Sequence, residues 1–397
     1  MQLSDDRPVP FRGLAASDSE ARPDLVCLSH LRWDFVWQRP QHLMSRFARD
    51  RRVFFVEEPI REDTEPRLEV SEKQGGVKVA VPHLPHGLSP EQAEAAQAGL
   101  LRDLLEEHEV AEYVLWYYTP MAVAFAEELE PLAVVYDCMD ELSLFRGAPR
   151  ELVERESKLL AAADLVFTGG QSLYEAKRER HPRVYAFPSS IEAEHFRRAR
   201  EVCPEPADQR HLPRPRLGYF GVIDERIDLD LLAALADARP DWQIVMVGPV
   251  VKIDPESLPR RANLHYLGMK GYADLPSYLA GWDVALMPFA QNESTRFISP
   301  TKTPEYLAGG RPVVSTPIRD VVKPYGEEKL VEIADGPGEL VAAVERALSG
   351  YGEEWLARVD ELLSRGSWNR TWREMSELID AAVAARREGP RRDLPVL

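Results

Sequence analysis

The sequence predicts an α/β protein with two parallel-sheet domains, and three observations carry that prediction. Short apolar runs alternate with helical patterns, as parallel βαβ units require. The alternation halts at a Pro-, Arg- and Glu-rich stretch over 197–216 and then begins again. The chain has 397 residues, more than one hydrophobic core serves, so two domains of roughly 150 to 200 residues are expected. A cleft between them would be available for a substrate.

The elements follow in order. A polar leader runs to residue 22 and is expected to be loose. Leu25-Val-Cys-Leu-Ser29 reads as a buried strand, Pro40 to Ala48 as a helix and Arg52-Val-Phe-Phe-Val56 as the next strand. Val77 to Val81 and Tyr113 to Tyr117 are further strands, with an Ala-, Glu- and Leu-rich helix from Pro90 to Glu107 between them. Val134 to Tyr136 and Leu165 to Thr168 flank a helix over Arg150 to Ala163, closing a first domain over 23–196. After the 197–216 linker, a second domain over 217–350 repeats the pattern. Its strands are Leu217 to Phe220, Ile244 to Val247, Leu264 to Leu267, Val284 to Met287 and Pro312 to Ser315, with helices at Asp228 to Ala238 and Ala273 to Leu279. Gly336 to Arg386 is helical in pattern, and the Pro/Arg-rich tail over 387–397 is expected to be mobile.

Composition excludes several classes. With 49 Lys and Arg against 66 Asp and Glu, the formal charge of -17 opposes broad attraction to nucleic acid or anionic lipid. Small anionic ligands respond to local charge and stay open. Cys27, Cys138 and Cys203 are far apart, so neither a disulfide framework nor a thiolate zinc site is indicated, and a reducing cytoplasm fits. No signal-peptide pattern opens the chain, and no apolar run approaches the roughly 20 residues that span a bilayer. Peripheral contact at the inner face of a membrane stays compatible with this.

The most informative stretch is Ser299-Pro-Thr-Lys-Thr-Pro-Glu-Tyr-Leu-Ala-Gly-Gly-Arg-Pro-Val-Val-Ser315. Lys302 and Glu305, three apart, share a face at the start of a helix that Gly309-Gly310 stops. Lys302 could meet phosphate oxygens while Glu305 accepts from sugar hydroxyls; alternatively the pair is an ordinary solvated face. Pro304 fits best if Thr303 caps the helix, and costs a donor in the second turn if Ser299 does. Gly221 lies where the first strand of the second domain turns, letting a ligand approach the backbone, and Arg226 could add a cation. A glycine needed only for the turn explains Gly221 equally well.

Asp228-Leu-Asp230 matches a D-x-D pattern, but Asp228 precedes an apolar periodic run where a helix cap belongs. Asp137-Cys-Met-Asp140-Glu141 follows a strand and should face a cleft, where Asp137 could act as a base or the three acids could simply solvate a loop. His30 holds the matching position after the first strand, as a ligand contact or a structural histidine. The run Trp33-Asp-Phe-Val-Trp-Gln-Arg-Pro-Gln-His42, which includes Arg39, could form a sugar-stacking platform or pack the loop on the core.

Together, the run Ser29 to Leu43, the strand end Val135 to Asp140, Gly218-Tyr-Phe-Gly221, Leu275 to Phe289 and the Ser299 to Val314 stretch resemble bacterial glycosyltransferases of the GT-B fold, near family 4, including those of teichuronic-acid type. The resemblance implies two Rossmann-like domains facing across a cleft, with C-terminal helices over 351–386 crossing back onto the first. It assigns the donor to the second domain: Glu305 on ribose hydroxyls, Lys302 and the Gly221 loop on the diphosphate, Met269 beside the nucleobase, and Arg226 and Arg296 in the same donor-binding set. Trp33, Arg39 and Asp140 fall to the acceptor, a saccharide, a lipid-linked saccharide or a small molecule. Many family 4 enzymes carry a second glutamate eight residues before the ribose-binding one; here that position is Phe297.

Sugar transfer develops negative charge on the leaving diphosphate, which Lys302, Arg226 and helix N–H groups would meet with no metal or other cofactor. Retention, favoured here over inversion, makes no carboxylate base obligatory; inversion would recruit Asp137 or His30. The donor would be a UDP- or GDP-sugar and the product a cell-surface polysaccharide or glycolipid. Two other expectations stand beside this one: a nucleotide-sugar epimerase on the same fold, and a non-catalytic nucleotide-sugar-binding partner.

Overall fold

Runs rich in β-branched and aromatic residues, buried on both faces, build two open sheets in the computed structural model, which describes residues 22–73, 75–201 and 203–388. The first sheet comprises β1 (Asp24–Leu28), β2 (Val53–Val56), β3 (Ile60–Arg61), β4 (Arg67–Glu72), β5 (Val77–Leu84), β6 (Tyr113–Tyr117), β7 (Ala133–Cys138), β8 (Leu165–Thr168) and β9 (Val184–Ala186). Its order is β3-β5-β2-β1-β6-β7-β8-β9, parallel throughout except for β4, which runs antiparallel along β5. The second sheet, β10 (Arg216–Phe220), β11 (Gln243–Val247), β12 (Leu264–Tyr266), β13 (Val284–Met287), β14 (Val313–Ser315) and β15 (Val331–Ile333), has the order β12-β11-β10-β13-β14-β15 and is wholly parallel. In both, strand order reverses beside the first strand of the sheet. That reversal point is where open α/β sheets leave a crevice for ligands.

Helix signals act as the sequence suggests. Ser89 and Gln92 form a capping box at the start of Pro90–Glu107. Asp228 caps Leu229–Ala238 by accepting from the Leu231 N–H at 2.8 Å, so it is a cap. Strands of two or three residues, β3, β9 and β15, escaped the periodicity, as did the charged, largely exposed β4.

Three expectations about organisation are corrected. The 197–216 stretch is held down at several points: Arg200 pairs with Asp360 at 2.8 Å, Gln209 takes the Trp282 indole N–H at 2.8 Å, and Ala199 and Leu212 lie in the second core. That core already begins at Ile191 and Phe196. Of the C-terminal helices, Pro337–Leu348 and Glu353–Ser364 pack on the second domain, the latter through Trp355, Val359 and Leu363. Only Trp368–Glu388 crosses back, burying Trp368, Met375, Ile379 and Val383 in the first core, each worth roughly 1.5–3 kcal/mol by the usual transfer scale. The expected leader lies outside the described residues except Arg22, which pairs with Asp50 and Asp380. The expected tail does so too, except that Arg387 and Glu388 continue the last helix.

Candidate active site

The carboxyl ends of both sheets open on one cleft of about 380 Å³, and its walls come from both domains. The second domain contributes the end of β10 (Tyr219, Phe220, Gly221), the Val247–Pro249 turn after β11, Met269 to Tyr272, Phe289 and the Ile298–Lys302 segment with Glu305. The first contributes Trp33 to Arg39, Met139, Asp140 and Ser189.

Lys302 and Glu305 stand at the centre of the second-domain wall. Their helix spans Lys302–Ala308, with Thr301 before it and Gly309 at its end, and Gly310 turns out of it at φ +71. Pro304 therefore lies in the first turn, where N–H groups have no intrahelical acceptor, and its missing donor costs nothing. Gly221 has φ +141, and a Cβ there would lie 2.7 Å from Lys302 Nζ, so this glycine is required both by its backbone and by the lysine resting on it. Lys302 Nζ also lies 5.7 Å from the Tyr219 ring centroid. Among the described residues neither the Lys302 ammonium nor the Glu305 carboxylate makes a hydrogen bond or ion pair. Burial lowers the Lys302 pKa, with Arg226 adding repulsion, and burial pushes Glu305 up to about 8 against the attraction of Lys302. Two half-buried ionisable groups without partners face the cleft.

Arg226 is fixed rather than free. Asp224 takes it bidentately, with Nη2 to Oδ2 at 2.7 Å, and its guanidinium lies 5.5 Å from the Phe145 ring of the first domain. Asp140 faces this cationic group across the cleft; burial raises its pKa, and Arg226 opposes the rise. Met269 is 46% exposed on the cleft wall. Tyr272, which sequence reasoning did not single out, stacks on His195 at 4.3 Å and lies 6.0 Å from Trp37, joining the domains at one end of the cleft. Asp224 was missed as well; a single acid two residues before an arginine carries no signal.

Other sequence candidates are committed to the fold or lie outside the cleft. Asp137 sits inside β7, fully buried, with both oxygens taken by Arg39 (Nε to Oδ2 2.9 Å, Nη2 to Oδ1 2.8 Å). It does not face the cleft, which removes the expected base. Arg39 donates its remaining Nη1 to the Phe187 carbonyl at 2.7 Å, so although it backs the cleft wall its hydrogen bonds are committed to the fold. Trp33 is buried edge-on against Phe55, its backbone N–H donating to the Glu57 carboxylate at 2.7 Å; it packs the loop, and Trp37 is the exposed ring. Arg296 lies outside the cavity lining, 3.6 Å from Glu293 and over the Phe297 ring. His30 lies outside the cavity lining; burial and Lys252 lower its pKa to about 4, and its Nδ1 has no partner among the described residues. Phe297 packs against the first-domain cluster that contains Leu173.

Two parallel α/β sheets facing across a cleft, with the final helix returning to the first, define the GT-B class. Residues 214–350 match the family of Glycosyl transferases group 1. A Bacillus subtilis (strain 168) relative described as "Putative teichuronic acid biosynthesis glycosyltransferase TuaH" is 26% identical over 284 residues, covering 66% of this chain and 70% of that protein. Among solved structures, sucrose-phosphate synthase from Thermosynechococcus elongatus superposes with a TM-score of 0.67 at 15% identity, over 92% of this chain and 100% of that one. The E. coli trehalose-6-phosphate structure bound with UDP-2-fluoro glucose does so with 0.63 at 14%, over 91% and 99%. At such identities these superpositions speak for the fold alone. The chain is a glycosyltransferase of GT-B type. Among the described residues no helix is long and apolar enough to cross a membrane.

Proposed function

We propose that this glycosyltransferase moves a sugar from a nucleotide-diphosphate donor, UDP- or GDP-linked, to a hydroxyl acceptor in cell-surface polysaccharide or glycolipid synthesis. The observation that carries the proposal is the unpaired Lys302 ammonium resting on Gly221 at the strand-order reversal, beside the unpaired Glu305 carboxylate. Lys302 meets the diphosphate, whose negative charge grows as the glycosidic bond breaks, and Arg226, held by Asp224, extends the positive wall. Glu305, ionised once a ligand's hydroxyl groups donate to it, takes the ribose. Met269 flanks the base. Asp140 and Trp37 face the acceptor side of the cleft.

The cations supply the charge stabilisation, so transfer proceeds without a metal. Asp137, locked to Arg39, is not free to serve as the base that inversion would require of it, which favours retention, the leaving phosphate taking the acceptor proton. The B. subtilis relative supports the polysaccharide assignment, and the match of residues 214–350 to Glycosyl transferases group 1 supports placing the donor on the second domain. An acceptor carried on a lipid would bring the protein to the cytoplasmic face of a membrane. A calorimetric panel of UDP, GDP and ADP, followed by transfer of radiolabelled sugar onto a saccharide panel, tests this. Selective binding of one diphosphate and label transferred only when acceptor is present support it. Label epimerised without acceptor, or no binding to any nucleotide diphosphate, contradicts it.

A further inference from the structure

Away from the cations, the two domains meet at a contact that ends beside the Lys302 helix. β8 stops at Thr168, and the chain turns through Gly169-Gly170 into the helix Gln171–Lys177. Gly170 occupies the cap position and brings no side chain to it. The cap comes from the other domain: Asp320 accepts from the Ser172 N–H at 3.2 Å and from the Ser172 hydroxyl. Its neighbour Arg319 pairs with Glu175 one turn further on.

Gly170 is not a glycine for conformational reasons. Its φ of -171 is extended backbone that any residue adopts. Space explains it: a Cβ there would lie 2.6 Å from Ser299 Cβ and overlap the Asp320 carboxylate. Ser299 lines the cleft three residues before Lys302, and Phe297 packs on the same first-domain cluster as Leu173 of the capped helix. The chain leading into the Lys302 helix therefore rests on the first domain at Phe297 and Ser299, with Asp320 tying the seat from behind.

We propose that Gly170 and Asp320 are positioning residues: a seat between the domains that holds the Phe297–Lys302 segment, and through it the Lys302 ammonium, where a nucleotide diphosphate binds. The identity of the ligand rests on the proposed function; the mechanical link does not. A methyl group at Gly170 pushes the segment away directly, whereas losing the Asp320 carboxylate releases the seat without adding bulk. The two routes converge on Lys302.

The test uses full-length protein with Asp320→Ala, Asp320→Asn and Gly170→Ala, hydrogen exchange by mass spectrometry without ligand, and calorimetry with UDP and GDP. Asp320→Ala and Gly170→Ala are expected to speed exchange in Gln171–Lys177 and also across residues 297–303, leaving the remote helix Pro337–Leu348 as in wild type. Nucleotide binding weakens roughly tenfold, part of the worth of one charge-assisted contact, and appears as a higher donor KM with a smaller change in kcat. Asp320→Asn, whose amide oxygen still accepts from the Ser172 N–H, recovers most of both effects. Faster exchange confined to Gln171–Lys177, or wild-type nucleotide affinity in both disruptive variants, overturns the proposal. Should Gly170→Ala fail to fold, the Ala and Asn variants of Asp320 decide. A wild-type protein that binds neither nucleotide sinks the functional proposal, and the exchange result then judges the seat alone.

Discussion

Replacing Lys302 with alanine separates a binding cation from a structural one. Burial strips the Lys302 ammonium of part of its water, and among the described residues it has no carboxylate in ion-pair contact, so the fold itself bears part of the desolvation cost of a phosphate contact. Attraction to a phosphate charge at about 4 Å has a ceiling of about 4 kcal/mol at an effective dielectric constant near 20. A hydrogen bond to a charged group is worth about 1.5–3 kcal/mol net. At about 1.36 kcal/mol per decade, Lys302→Ala should weaken UDP or GDP binding roughly tenfold to 150-fold. The same change removes an unpaired half-buried charge, so the unfolding midpoint of the unliganded protein should hold or rise. Calorimetry with the preferred nucleotide and thermal unfolding in its absence give both numbers. Affinity within about twofold of wild type, or a marked loss of unliganded stability, refutes the assignment.

Glu305→Gln should change the pH dependence of stability. The folded-state pKa of about 8 exceeds the ordinary carboxylate value of 4.5, so the folded protein holds a proton that the unfolded chain has lost between those values, and stability falls as pH rises through that window. Thermal midpoints at pH 5, 6.5 and 8 should show the glutamine variant gaining on wild type with pH; parallel curves would contradict this. Asp137→Asn leaves the buried Arg39 guanidinium with an inadequate partner and should cost roughly 3–5 kcal/mol in urea unfolding, with nucleotide affinity of the folded fraction unchanged. Asp228→Ala should cost about 1 kcal/mol by loss of the cap and leave transfer rates as they were, with or without added divalent ions.

The two-sheet architecture was legible because nearly every central strand is an uninterrupted apolar run and each is followed by a helical pattern. Tyr113–Tyr117 and Val284–Met287 have the predicted bounds, and Pro90–Glu107 announces its start with Ser89 and Gln92. Legibility ended where tertiary contacts decide. Asp137 looked like a cleft acid because the strand was expected to stop at Tyr136, but β7 continues to Cys138 and carries the carboxylate into the core, where Arg39 from 98 residues earlier neutralises it. No local pattern announces a partner that distant. Trp33 and Trp37 were indistinguishable as residues, yet the Glu57 anchor turns one ring into the core and leaves the other on the cleft. Lys302 and Glu305 were legible as a pair but not as an unpaired pair; a sequence cannot show the absence of a counter-ion. Phe297, conspicuous as a departure from the family pattern, is explained by the domain contact on which it packs.

The central claim is that the diphosphate end of the donor lies between Gly221 and Lys302. Hydrogen exchange of the wild-type protein with and without saturating UDP or GDP, whichever binds, tests it most directly. Protection should concentrate in residues 218–226 and 299–308, with a weaker effect at 268–272. Protection confined to the first-domain loops at 30–39 and 137–145, with the Gly221 and Lys302 segments unchanged, would contradict it.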